Sequence, residues 1–69
     1  MTKNERIGAN IRRRIDEKGI KHSYVASKCG VSPAIFCKML KGQRKIHSDD
    51  LANISVAIGC TCEDLIEHQ

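Results

Sequence analysis

Apolar residues recur along this 69-residue chain at spacings of three and four, and most of the runs close on a glycine. Ile7, Ile11 and Ile15 fall at i, i+4 and i+8, one stripe of an amphipathic helix over about residues 4–18, with Arg12, Arg13 and Arg14 outside it. Gly19 ends that helix. Gly8 inside it costs about 1 kcal/mol against Ala, so its presence implies a neighbouring element packed close by. A second helix over 22–29 turns Val25, Ala26 and Cys29 inward and stops at Gly30. Ser32-Pro33 opens a third over about 33–41, because a serine hydroxyl caps an orphan N–H and proline suits the first helical position. On it Phe36, Met39 and Leu40 share the inner face, Ala34, Lys38 and Lys41 point away, and Ile35 and Cys37 flank them. Residues 43–47 are polar and basic around Ile46. Ser48 is read as the cap of a fourth helix, with Asp49 and Asp50 in its first turn and Leu51, Ile54 and Ile58 as its stripe. After Gly59, Thr61 and Asp64 have capping-box spacing and open a short fifth helix bearing Leu65 and Ile66. No segment alternates long enough to be a strand. The expected fold is all-α, a compact five-helix bundle forming one domain over 1–69.

Charge sharpens this picture more than composition does. All twelve Lys and Arg lie within residues 1–45, against Glu5, Asp16 and Glu17, whereas residues 46–69 carry Asp49, Asp50, Glu63, Asp64 and Glu67 and no Lys or Arg. A chain basic in one part and acidic in the other fits a polyanion at its basic face, since neutralised phosphates release condensed counterions; the alternative is a solvated basic face. With one Tyr, one Phe and no Trp, the core must be aliphatic. No apolar run is long enough to cross a bilayer and the N-terminus has no signal-peptide pattern, so the expected location is the cytoplasm.

The four cysteines are expected to be free. Cys29 and Cys37 are separated by seven residues and Cys60 and Cys62 by one, while His22, His47 and His68 are scattered, so neither a disulfide framework nor a zinc site is indicated. No nucleophile, base and orienting group converge in sequence. The chain is expected to be no enzyme, without catalytic residues, metal or cofactor, and a small-molecule ligand is not anticipated.

Helices 2 and 3, joined through Gly30-Val31-Ser32, have the form of a helix-turn-helix. Together with IGANIRRRIDEKGI, VASKCGVSPAIFCKMLKGQRKI and SDDLANISVAIGCTCEDLI, the chain resembles, over roughly residues 6–67, the phage repressor and Cro family, the xenobiotic-response-element-like helix-turn-helix domains. The matching features are the KG-I turn after helix 1, the A-x-x-x-GVS core, the KG after helix 3 and the L-x-x-I-x-x-A-x-G ending. The resemblance implies a lambda-repressor-like DNA-binding domain with helix 3 in the major groove. It implies base contacts from Ser32, Pro33, Ala34, Ile35, Cys37 and Lys38, and backbone contacts from His22, Lys41, Gln43, Arg44 and Lys45. Among the groove residues only Lys38 is a strong base-edge donor, suited to guanine; Ala34 and Ile35 suit thymine methyl groups.

Three positions depart from the family pattern. His22 stands where glutamine is common, which retains a phosphate donor and adds pH dependence. Ile15 and Leu40 stand where many members have a buried Arg–Glu pair, and since both are aliphatic the fold is expected to survive with the two in contact. Pro33 and Ala34 stand where polar side chains often read bases, so direct readout is sparse and shape readout gains weight.

The function expected is a sequence-specific DNA-binding transcriptional regulator, of repressor type, bound to double-stranded DNA as a homodimer through its acidic C-terminal segment. Val56, off the apolar stripe, and the turn with Cys60 and Cys62 are its candidate contacts. An antitoxin-like or other protein-binding module is the alternative, opposed by the lack of a tail beyond Gln69. A redox sensor is another, with Cys37 on the DNA-facing side of helix 3.

Overall fold

The computed structural model describes residues 2–66; Glu67 and His68, discussed above, lie outside them, as does Gln69. Among the described residues the chain forms five helices and no strand: α1 Lys3–Lys18, α2 His22–Cys29, α3 Pro33–Leu40, α4 Ser48–Ile58 and α5 Cys62–Ile66. Twelve buried apolar residues from all five helices and one loop make a single cluster, with Ile11, Ile15, Val25, Ala26, Phe36, Ile54 and Leu65 fully enclosed. Nearly the whole expected inner set is there. Cys29 and Leu51 are only half-buried against its edge.

Local chemistry explains the boundaries. Thr2 caps α1 in a reciprocal box: its hydroxyl accepts from the Glu5 N–H at 3.1 Å, and the Glu5 carboxylate accepts from the Thr2 N–H at 2.8 Å. These backbone and hydroxyl donors hold the Glu5 carboxyl below its usual range. Thr61 and Asp64 repeat the arrangement at 3.1 and 3.2 Å, with the same downward effect on Asp64.

Two expected helix ends are corrected. Ser48 is the first residue inside α4 rather than its cap; the cap is His47, in extended conformation, whose N–H donates to the Asp50 carboxylate at 3.0 Å. An acid three residues on captures the backbone one position earlier than the serine suggested. At the other end of α3 the last helical residue is Leu40, with Lys41 as the cap residue. Gly42 then takes the left-handed region at φ 77°, and the Gln43 N–H returns to the Lys38 carbonyl at 2.9 Å. This bond closes the helix and turns the chain away.

Two junctions hold α1 in the bundle. Toward α3, Gly8 sits on the backbone of Leu40: a Cβ there would stand 2.7 Å from the Leu40 carbonyl carbon and 2.9 Å from its Cα. The close neighbour implied by that glycine is the end of the third helix. Toward α5, buried Asn10 donates its Nδ2 to the carbonyls of Asp64 and Leu65, at 3.1 and 2.8 Å. Last-turn carbonyls of a five-residue helix have no partner within it, so the amide satisfies them. Ile15 and Leu40 are both buried in the common cluster, so the aliphatic pair is accommodated in the core.

Candidate nucleic-acid interface

The third helix separates into two faces. Phe36, Met39 and Leu40 are buried, while Pro33, Ala34, Cys37, Lys38 and Lys41 are all exposed and fall at i, i+1, i+4, i+5 and i+8. That spacing makes one continuous stripe along the solvent side of the helix. Ser32 caps it, its hydroxyl accepting from the Ile35 N–H at 3.2 Å, so this oxygen is already engaged in fixing the helix start. Ile35 is half-buried and packed against the core, which leaves only part of its side chain for an outside contact. The displayed chemistry is therefore a small apolar surface of Pro33 and Ala34, a thiol at Cys37 and two ammonium groups at Lys38 and Lys41.

Gln43, Arg44 and Lys45 follow in the loop after α3, and all three are exposed. Ile46 explains why they are displayed together: it is 8% exposed and joins the core cluster, pinning the loop so that its polar residues stay outside. The basic residues of the α3–α4 connection thus continue the cationic edge begun by Lys38 and Lys41.

His22 opens α2 and is half-buried. Its ring meets the Phe36 ring edge-on, with centroids 6.3 Å apart and planes at 88°, and its Nε2 lies 3.2 Å from the Asp16 carboxylate. One side of the imidazole is thereby fixed by the core and another by α1. Between α1 and α3 lies a cleft of about 250 Å³ lined by Arg12, His22, Cys37, Leu40 and Lys41.

Arg12 was not among the sequence-derived contact residues. Three consecutive arginines look alike in sequence, yet the structure separates them: Arg12 lines the cleft, Arg13 donates to Asn10 Oδ1 at 2.6 Å, and Arg14 reaches toward the acidic end near Asp64. The available signal was helical spacing, because Arg12 and Asp16 share a stripe at i and i+4, and Asp16 is the partner of His22. All four cysteines are free thiols. Burial raises the Cys29 and Cys60 thiols above their ordinary range. Among the described residues no group of three or more His, Cys, Asp or Glu could hold a metal ion, and no helix is long and apolar enough to cross a membrane.

Two short helices in tight succession, the second anchored by one face and displaying the other beside a basic loop, define a helix-turn-helix domain of the DNA-binding class. The sequence profile of the Cro/C1-type HTH DNA-binding domain matches residues 10–69, and the chain belongs to that family. It is similar to the clp gene regulator ClgR of Corynebacterium glutamicum, at 26% identity and a TM-score of 0.87, over 94% of this chain and 84% of that one. The fold is shared with the restriction-modification controller protein C.AhdI of Aeromonas hydrophila, at 18% identity and a TM-score of 0.80, over 88% and 92% of the two chains. It is shared also with the P22 c2 repressor, whose structure contains a synthetic operator, at 21% identity and a TM-score of 0.77, over 91% and 96%. No curated protein matches the sequence.

Proposed function

We propose that this chain is a sequence-specific transcriptional regulator of repressor type, acting in the cytoplasm as a homodimer and laying α3 in the major groove of its operator. The exposed stripe of Pro33, Ala34, Cys37, Lys38 and Lys41, opposite a face buried through Phe36, Met39 and Leu40, carries the reading. Lys38 is the base-edge donor, to guanine O6 and N7, and Pro33, Ala34, Cys37 and the free part of Ile35 make apolar contacts. Ser32 sets the start of the reader. Lys41, Gln43, Arg44 and Lys45, with His22 at the start of α2, take phosphates and fix the register. Val56, 82% exposed on α4, and Ile66, 44% exposed on α5, are the contacts we assign to the second copy, on the segment without Lys or Arg. Such a pairing spaces two reader helices for half-sites one helical turn apart.

Selection of bound duplexes from a random pool at two salt concentrations tests this. Recovery of a palindrome is the expected result; steeply salt-dependent binding without a consensus would leave only a basic surface. Lys38→Ala should change the recovered sequence, whereas Arg44→Ala should weaken all sequences alike. Sedimentation of the Val56→Glu variant, expected to be monomeric, checks the pairing.

A further inference from the structure

Gln43, Arg44 and Lys45 are exposed residues strung between two fixed points. At the far end Ile46 is buried in the core. At the near end Gly42, at φ 77°, lies directly on the first turn of α1. A Cβ on Gly42 would collide with Glu5 Cγ and stand 3.0 Å from Glu5 Cα and 3.1 Å from its N, so the turn sits flush on that residue's stem and backbone. We propose that Glu5 is a positioning residue for DNA binding: it is the base on which Gly42 rests, and it sets where the loop after α3 meets the phosphates relative to α3. The inference rests on the DNA-binding reading above and deepens it by giving a role to a residue not assigned to the contact surface.

The base is rigid for local reasons. The Thr2 N–H donates to the Glu5 carboxylate at 2.8 Å and the Thr2 hydroxyl accepts from the Glu5 N–H at 3.1 Å, which orders the Glu5 side chain as well as its backbone. Glu5 and Gly8 stand at i and i+3 on one face of α1, so the helix meets first the turn leaving α3, at Gly42, and then the end of α3 itself, at the Leu40 backbone. The same turn is tied to α3 by the Gly42 N–H on the Met39 carbonyl at 3.1 Å and the Gln43 N–H on the Lys38 carbonyl at 2.9 Å. Reader helix and loop are thereby held in register on one strut. A loop shifted by about an ångström would carry its donors out of hydrogen-bond range of a phosphate. Lys38 would be unaffected, because α3 stays seated through Phe36, Met39 and Leu40.

Affinity of the full chain for a selected duplex, measured by fluorescence anisotropy across a salt series, tests the proposal. Gly42→Ala should weaken binding by about tenfold, the loss of one charge-assisted hydrogen bond. Its salt slope should fall by about one phosphate contact while the preferred sequence is unchanged. In that background Arg44→Ala should cost less than it does alone, since the contact is already impaired. Adding Glu5→Ala to Gly42→Ala removes the colliding Cγ and should restore part of the affinity. Two cap variants separate positioning from stability. Thr2→Ala and Glu5→Ala both break the cap and should both lower the melting temperature. Thr2→Ala leaves the Glu5 stem under Gly42, with its carboxylate on the backbone N–H of position 2, and should bind as the wild type does; Glu5→Ala removes the stem and should bind several-fold more weakly. Glu5→Gln, which keeps the stem and an acceptor, should retain wild-type affinity.

An unaltered salt slope in Gly42→Ala, an equal cost of Arg44→Ala in both backgrounds, or equal affinity of Glu5→Ala and Thr2→Ala overturns the positioning role. If circular dichroism shows Gly42→Ala to be unfolded, the comparison of Glu5→Ala with Thr2→Ala decides alone. Failure of the wild type to bind any duplex overturns the DNA-binding reading as well, and so separates the two failures.

Discussion

The two junctions that α1 makes are built from opposite materials. Against α3 the contact is backbone on backbone at Gly8 and Leu40, with aliphatic side chains around it; against α5 it is a buried amide answering two carbonyls. The first tolerates no added atom and no charge. The second tolerates no lost hydrogen bond. The helix carrying the proposed DNA-reading surface is thus fixed by steric fit, and the short C-terminal helix by polar satisfaction, so substitutions of different chemistry should damage each.

The largest effect is expected from a charge placed in the apolar junction. Leu40→Glu alone should destabilise the fold by roughly 3–5 kcal/mol, because it leaves a buried carboxylate without a partner. The double change Ile15→Arg with Leu40→Glu should recover a large part of that loss in a denaturant titration; no recovery would mean the two side chains cannot reach each other. Gly8→Ala follows. Helix propensity favours the alanine by about 1 kcal/mol, yet its Cβ would meet Leu40 backbone atoms that cannot swing aside as a side chain can. A net loss of about 2–3 kcal/mol is expected from the forced separation of α1 and α3, read as a lower melting temperature.

Asn10→Ala tests the polar junction. It leaves the carbonyls of Asp64 and Leu65 without their donor and should cost about 1–3 kcal/mol, with hydrogen exchange quickening first in α5. The smallest effect is electrostatic. Glu5 and Asp64 are held below their usual range by capping hydrogen bonds, so each contributes stability above ordinary carboxylate pKa values. That contribution is lost as pH falls through their lowered values. Thermal melts between pH 5 and pH 3 should show a shallow decline, and Glu5→Gln should make it shallower still.

Much of this arrangement is legible in the amino-acid sequence because each helix carries its own start and stop. Ser32-Pro33 and the glycines at 19, 30 and 59 act through neighbouring atoms, so the sequence position is enough to read them. Gly8 is legible as a demand for close packing. Its partner is a tertiary fact, and no local pattern identifies Leu40 as the backbone it meets. The start of α4 goes astray by one residue because Ser48 and His47 are both able to begin a helix, and the choice is made by where Asp50 reaches. Thr2 and Glu5 carried a capping-box spacing that pattern alone could have used.

The candidate interface is less legible in the sequence than the fold. Its exposed residues on α3 follow from helical phase, which separates Lys38 from Met39 without any knowledge of neighbours. Arg12 required the third dimension, since its distinction from Arg13 and Arg14 arises only when α3 lies beside α1. The exposure of Ile35 is hidden for a related reason: on the flank of a helix, the angle of packing decides how much of the side chain remains outside.

The seat of Leu40 on Gly8 bears on the thermodynamics of association. A reader whose end is clamped to the longest helix arrives at its target already shaped, and little conformational entropy is left to lose on docking. The heat-capacity change on complex formation should then be accounted for by the contact surface alone, without the larger negative value that accompanies folding coupled to binding.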